Sequence, residues 1–104
     1  SGRNQDAIEG CSGAVKYEPN YVNARLRLAE LLRQAGRPDA ALAQYTQAIA
    51  IDPRAAEGQF GYGRALVQLK RYKEARRRLT EGASRYPERR EFAEALARLE
   101  AVGP

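Results

Sequence analysis

Histidine, methionine and tryptophan do not occur in this sequence of 104 residues, and cysteine occurs once, as Cys11. Without histidine there is no imidazole to act as general acid or base, and the usual zinc ligand sets are unavailable. A single thiol cannot close an internal disulfide. Cys11 falls on an apolar helical stripe and is expected as a buried structural thiol, because free cysteine packs as a small hydrophobe. The carboxylates fall on solvent faces and caps, without the apolar pocket that tunes a catalytic pair. No enzyme, no metal site and no cofactor is therefore expected. No apolar run approaches the ~18 residues that span a bilayer. No signal or transit segment is visible, so a cytoplasmic setting is expected ahead of a periplasmic one. Lysine is scarce, 3 residues against 15 arginines, and with the abundant alanine this points to a GC-rich, bacterial genome. The lack of any methionine, in a chain that opens on a turn, is read as a segment of a longer protein.

What is present is a period. Pro19, Pro53 and Pro87 lie 34 residues apart, and Gly2–Ala7, Gly36–Ala41 and Lys70–Ala75 fall at one offset before them. A fixed period of this length marks a stacked-repeat solenoid. Within one period the apolar spacing is helical twice: Ala24, Leu28, Ala29, Leu31 and Leu32, then Ala41, Leu42, Tyr45, Ala48 and Ile49. Gly36 suits the left-handed residue that ends the first helix, and Pro38 the first turn of the second. The unit is helix, tight turn, helix, Pro-containing turn.

These residues resemble the tetratricopeptide repeat. Its first helix carries bulky, small and bulky positions, here Leu28, Ala29 and Leu32, then Tyr62, Gly63 and Leu66. Its second helix carries small, large and small positions, here Ala7, Cys11 and Ala14, then Ala41, Tyr45 and Ala48, then Ala75, Leu79 and Gly82. The family's aromatic residue near the start of the first helix is replaced by Arg25 and Gln59. The pentatricopeptide family, which reads RNA, has a period one residue longer and is not favoured. The resemblance implies an all-α, right-handed superhelical solenoid of antiparallel helix pairs with six helices. Residues 1–19 are the second helix of a truncated repeat, 22–55 and 56–89 are complete repeats, and 90–104 are a C-terminal capping helix.

The helices are expected over Asn4 to Tyr17, Tyr21 to Ala35, Pro38 to Ile51, Ala55 to Leu69, Tyr72 to Tyr86 and Glu88 to Val102, with Gly103 and Pro104 stopping the last. The first exposes Ala7, Ile8, Cys11 and Val15 for want of a partner, and self-association through such repeat ends is expected. Phe92, Ala93, Leu96, Ala97 and Leu99 of the last face the stack, with Glu100 on a polar outer side that suits a cap. Gly63 has a packing reason as the small residue where paired helices approach. Gly58 and Gly61 show none; either they have drifted in a helix held by its neighbours, or Gly61 leaves room for a ligand backbone.

In this family the first helices line a concave groove that holds a peptide or a partner's helix. Carried over by repeat, the groove places form ladders: Asn23, Glu57, Glu91; Leu26, Phe60, Glu94; Arg27, Gly61, Ala95; Glu30, Arg64, Arg98; and Arg33, Val67, Ala101. Leu26 and Phe60 are expected to form an apolar floor, with Phe60 the interaction hot spot; the alternative has Phe60 folding over Leu26 to fill a gap between repeats. Glu30 is expected to neutralise Arg64. The family's carboxylate clamp for chaperone tails finds Leu26, Glu30, Gly61, Glu91 and Ala95 at its places, so no clamp is expected.

Residues 70–90 hold nine Lys or Arg against three Glu, while the rest of the chain is near balance. A basic face can attract nucleic acid, but a charge run on a helix is usually a solvated face, and Arg76, Arg77 and Arg78 are read that way. The expected function is noncatalytic protein or peptide binding as a scaffold, with a partner bringing apolar and acidic residues; the alternative is the substrate-recruiting segment of a larger multidomain enzyme. Nucleic acid is not favoured as a partner.

Overall fold

A computed structural model describes residues 2–18 and 21–102. Pro19, Gly103 and Pro104, read above as punctuation, lie outside the described residues. Six helices and no strand occur among those described: α1 (Gly2–Tyr17), α2 (Val22–Gln34), α3 (Pro38–Ile51), α4 (Ala56–Gln68), α5 (Tyr72–Arg85) and α6 (Arg90–Val102). Each helix packs on the next in sequence, α2 also packs on α4, and α4 on α6. No such packing links α1 to α3 or α3 to α5. The first helices of the repeats thus form an inner row and the second helices splay on the outside. The shortest dimension, 19 Å, is that of two helix layers each about 10 Å thick.

The turns inside the repeats are built alike. After α2, the Arg37 N–H donates to the Leu32 carbonyl and the Gly36 N–H to the Arg33 carbonyl. One period later Arg71 donates to Leu66 and Lys70 to Val67. This paired pattern satisfies carbonyls that a helix end leaves open, and it needs a left-handed residue. Gly36 takes it with φ +80°, and Lys70 takes it with φ 62°. A side chain there costs about 1–2 kcal/mol, partly offset because glycine has more freedom to lose on folding. Lys70→Gly should therefore stabilise the chain by roughly 0.5 kcal/mol, and thermal unfolding of the variant checks it. Between repeats, Asp52 before Pro53 is extended (φ −138°), as the proline ring requires. Its carboxylate accepts from the Arg54 N–H at 3.1 Å.

Two apolar clusters carry the stack. One joins Ile8, Leu28, Ala29, Leu32, Ala41 and Tyr45; the other joins Ala56, Leu66, Ala75, Leu79, Phe92 and Leu99. Burying each large member contributes about 1.5–3 kcal/mol. Where the family's aromatic is missing, Arg25 Nη1 donates to Gln44 Oε1 at 3.0 Å and ties α2 to α3 by a polar link instead.

Several expectations are corrected. The apolar face of α1 is not left open: Ile8 is buried, and Cys11 and Val15 pack on the first cluster, because α2 covers that side. Cys11 is half-buried rather than buried, and Ala14, at the place of the buried Ala48, is exposed. In α6, Ala93 and Ala97 are exposed, whereas Phe92, Ala95, Leu96 and Leu99 face the stack. Gly58 and Gly61 both have packing reasons. A Cβ on Gly58 would lie 3.3 Å from Ile49, and one on Gly61 would lie 2.2 Å from the Tyr45 ring. The space beside Gly61 is occupied by Tyr45, so it is not open to a ligand backbone.

Candidate peptide-binding groove

The inner row presents two adjoining hollows. The larger, about 610 Å³, lies along α2 and reaches α4; Asn23, Leu26, Arg27, Glu30 and Glu57 line it together with Leu31, Gln34 and Tyr45. The smaller, about 240 Å³, is lined by Arg33, Arg64, Val67 and Arg98 with Gln68, Leu79, Ala95 and Leu99. Ten of the fifteen ladder residues named from the sequence thus line these two spaces. Phe60, Gly61, Glu91, Glu94 and Ala101 line neither.

Phe60 is half-buried and packs edge-on against Phe92 at 5.4 Å, with the Arg64 guanidinium 5.4 Å from its ring centre. It fills a gap between repeats, toward Phe92 rather than over Leu26. Leu26 belongs to the first apolar cluster and Phe60 to the second, so the two do not make one floor.

Glu30 is the polar centre of the larger hollow. It pairs with Arg33, three residues on, and accepts from Gln34 Nε2 at 3.3 Å and from the Tyr45 hydroxyl at 3.2 Å. Arg33 in turn donates from Nη1 to Gln68 Oε1 at 3.1 Å, and Gln68 Nε2 donates to the Arg33 carbonyl at 3.3 Å. One polar chain therefore ties α3, α2 and α4 together. Its members brace the groove wall where alanines and glycines offer little area. The direct partner of Glu30 is Arg33; Arg64 acts on it only through longer-range attraction.

Partial burial pushes the Glu30 carboxyl up, but the Arg33 hydrogen bond and charge, then Arg64 and Tyr45, outweigh it and leave it below its ordinary value. Tyr45 is shifted strongly upward, first by burial and then by the charge and hydrogen bond of Glu30. A phenol whose folded value is raised contributes stability that is complete below its unfolded value, 10.0, and is lost as pH rises beyond it. The Glu30 contribution runs the other way, present above its ordinary value and lost as pH falls below it. Chemical denaturation at pH 8 and pH 11 should therefore show a loss at the higher pH that Tyr45→Phe largely removes. Tyr45→Phe itself should cost about 1 kcal/mol at neutral pH for the lost hydrogen bond.

At the mouth, Arg89 bridges Glu57 at 3.1 Å and Glu91 at 3.6 Å, crossing from α4 to α6. Such exposed pairs are worth at most about 1 kcal/mol each, so they shape the rim more than they stabilise it.

The outer face departs from the expectation of a merely solvated charge run. Arg77 is exposed, but Arg76 and Arg78 are half-buried. The Arg78 guanidinium lies 4.5 Å from the Tyr62 ring centre, and Arg76 Nε is buried without a hydrogen-bond partner among the described residues. Arg78 thus covers the Tyr62 ring from α5, as long cationic side chains do with apolar surface.

Tyr45, Gln34 and Gln68 were not foreseen in the groove. The sequence places Tyr45 on the core stripe, which it also occupies; the signal for its second role is the hydroxyl, since a buried tyrosine oxygen normally finds a partner. Nothing in the sequence singles out Gln68.

A family model described as tetratricopeptide repeat matches residues 1–45 and 32–99. Over 85 residues, 80% of the chain, the sequence is 35% identical to the type IV pilus assembly protein PilF of Pseudomonas aeruginosa, and it spans about a third (34%) of that protein's length. A solved structure from work on the Pseudomonas aeruginosa pilF product superposes with a TM-score of 0.81 at 31% identity, over 96% of this chain and 46% of that one. The TPR domain of Arabidopsis OM64 superposes with a TM-score of 0.89 at 21% identity, over 95% of this chain and 82% of the other. The first TPR of Spaghetti (RPAP3), bound to the HSP90 peptide SRMEEVD, gives 0.89 at 16% identity, over 97% and 80%. At those two identities the likeness establishes the fold alone.

Proposed function

Because this chain belongs to the tetratricopeptide repeat family, we propose that it is a noncatalytic protein-binding module whose inner row of helices holds an extended segment of a partner polypeptide. The observation that carries this reading is the larger hollow, where Asn23, Leu26, Arg27, Glu30 and Glu57 come together from two repeats around about 610 Å³. It combines an apolar wall with donors and acceptors at close spacing, as a site for a mixed peptide requires. A concave solenoid face suits an extended chain because each repeat adds one more set of contacts along it.

The carboxylate clamp that the family uses for chaperone tails is not the mode proposed. The places of the clamp hold Leu26, Glu30, Gly61, Glu91 and Ala95, and Glu30 is already paired with Arg33. Recognition at the larger hollow is therefore assigned to hydrogen bonds and apolar contact rather than to a ring of cations on a terminal carboxylate. The Pseudomonas relative is named for type IV pilus assembly, which supports a protein as the partner.

The test uses a photoreactive amino acid placed in the protein either at Arg27, in the groove, or at Arg77, on the outer face. Both positions are exposed, so access to the reagent is equal. One discrete partner should be captured from position 27 and not from position 77. Capture from position 77 alone would overturn the groove reading.

A further inference from the structure

The smaller hollow has a chemistry of its own. Arg33, Arg64 and Arg98, one from each inner helix, stand around a floor of Val67, Ala95 and Leu99. Arg33 is neutralised by Glu30 and held by Gln68. Neither Arg64 nor Arg98 has a carboxylate partner within ion-pair distance among the described residues. Two guanidinium groups without an ion-pair partner thus border an apolar floor, in a space of about 240 Å³, enough for two side chains and not for a helix.

The arrangement of Arg64 narrows what fits. Its guanidinium is held near the Phe60 ring, which stabilises the cation through the ring's negative face and leaves its edge N–H groups for an acceptor. Arginine edges match carboxylates in paired, planar hydrogen bonds. An extended chain directs side chains i and i+2 to the same side, so one acidic and one aliphatic side chain facing this hollow must be two residues apart.

Resting on the reading that the inner row holds an extended segment, we propose that the Arg64–Arg98 hollow selects a partner segment in which an Asp or Glu side chain lies two residues from Val, Leu or Ile. The carboxylate takes the paired arginines and the aliphatic side chain covers Val67 and Ala95. Charge complementarity assigns the occupant: a neutral apolar segment leaves two cations partly desolvated without compensation, and a basic one adds repulsion.

Selection from a displayed library of random 12-residue peptides, run in parallel on the wild-type chain and on Arg64→Glu/Arg98→Glu, tests this. Wild type should enrich an acidic residue two positions from an aliphatic one, and the variant should lose that preference. For one selected peptide followed by fluorescence anisotropy, Glu→Gln in the peptide and Arg98→Glu in the protein should each weaken binding at least tenfold. The two losses should not multiply, and a lysine at the peptide's acidic position should regain affinity for Arg98→Glu. Arg98 is exposed, so the melting curve of that variant should match wild type. Amidating the peptide C-terminus should change nothing, since the carboxylate is a side chain. Binders without an acidic preference, affinities unmoved by Arg98→Glu, or dependence on a free C-terminus would overturn this inference and leave the groove reading standing. A library that yields no binder overturns both.

Discussion

Phe92→Ala is expected to lower the stability of the chain by about 3–5 kcal/mol, the largest loss from any single truncation. Phe92 is fully buried and stands at the meeting of three helices. It meets Phe60 of α4 in a T-shaped contact and stacks on Tyr86 at 5.8 Å. Gly82 of α5 lies so close that a Cβ there would come within 2.1 Å of the ring. Tyr86 in turn donates its hydroxyl to the Arg54 carbonyl at 3.3 Å, fastening the turn before α4. Truncating Phe92 removes the ring's burial and also leaves a cavity that a glycine on one side cannot fill. Domains have only about 5–15 kcal/mol in hand, so a large part of the molecules should unfold near 37 °C. Because solenoid stability is spread along the repeats, amide exchange should rise first in α5 and α6, and least in α2 and α3. Uniform acceleration across all helices would show that the stack unfolds as one unit.

The second large effect runs against helix propensity. Alanine is better than glycine in a helix by about 1 kcal/mol, yet Gly61→Ala should destabilise by roughly 1–2 kcal/mol, because overpacking a filled core costs about 1–3 kcal/mol or more. The new methyl would meet Cε1 and Cζ of Tyr45 at 2.2 Å, and that ring is only 2% exposed with its hydroxyl held by Glu30, so yielding costs packing and that hydrogen bond. Gly10→Ala and Gly13→Ala in α1 are the controls, since nothing lies within 4 Å of either added carbon; each should stabilise. One period on, Leu79 and Ala95 occupy the places of Tyr45 and Gly61 and line a common hollow. The smaller core residue goes with the larger inner one. Tyr45→Leu should therefore recover much of the Gly61→Ala loss, a coupling expected only of residues in contact. Additive losses in the double variant would mean the strain is relieved elsewhere.

The comparison of Gly61 with Gly36 shows how far the sequence could be read. Gly36 acts locally: a helix end needs a left-handed residue within three positions, and its place before Pro38 announces it. The helix bounds and the paired stripes of Leu28, Ala29 and Leu32 with Ala41, Tyr45 and Ala48 follow from the same short-range rules. Gly61 answers to a ring 16 residues away on another helix. Periodicity says that a residue faces inward without saying which neighbour it meets, because that depends on how far each helix is rotated against the next. Phe60 leaning to Phe92, Arg78 lying on Tyr62, and α2 covering Ile8 escaped for this reason. Ala97 stands at the place of the buried Ala29, which a second helix covers; no described helix covers Ala97, and it is exposed. In the groove, the ladders named residues by position, but which of them share a hollow, and that Glu30 is committed to Arg33, are matters of side-chain reach.

The inner row of helices, and not the basic outer face, is proposed to receive the partner. Amide chemical-shift mapping of the labelled chain, titrated with a peptide selected from the displayed library, tests it most directly. The largest shifts are expected at Asn23, Arg27, Glu30, Glu57, Arg64 and Arg98, with Lys73, Arg77 and Glu81 unmoved. Shifts centred on α5, with the α2 and α4 amides unchanged, would contradict the account.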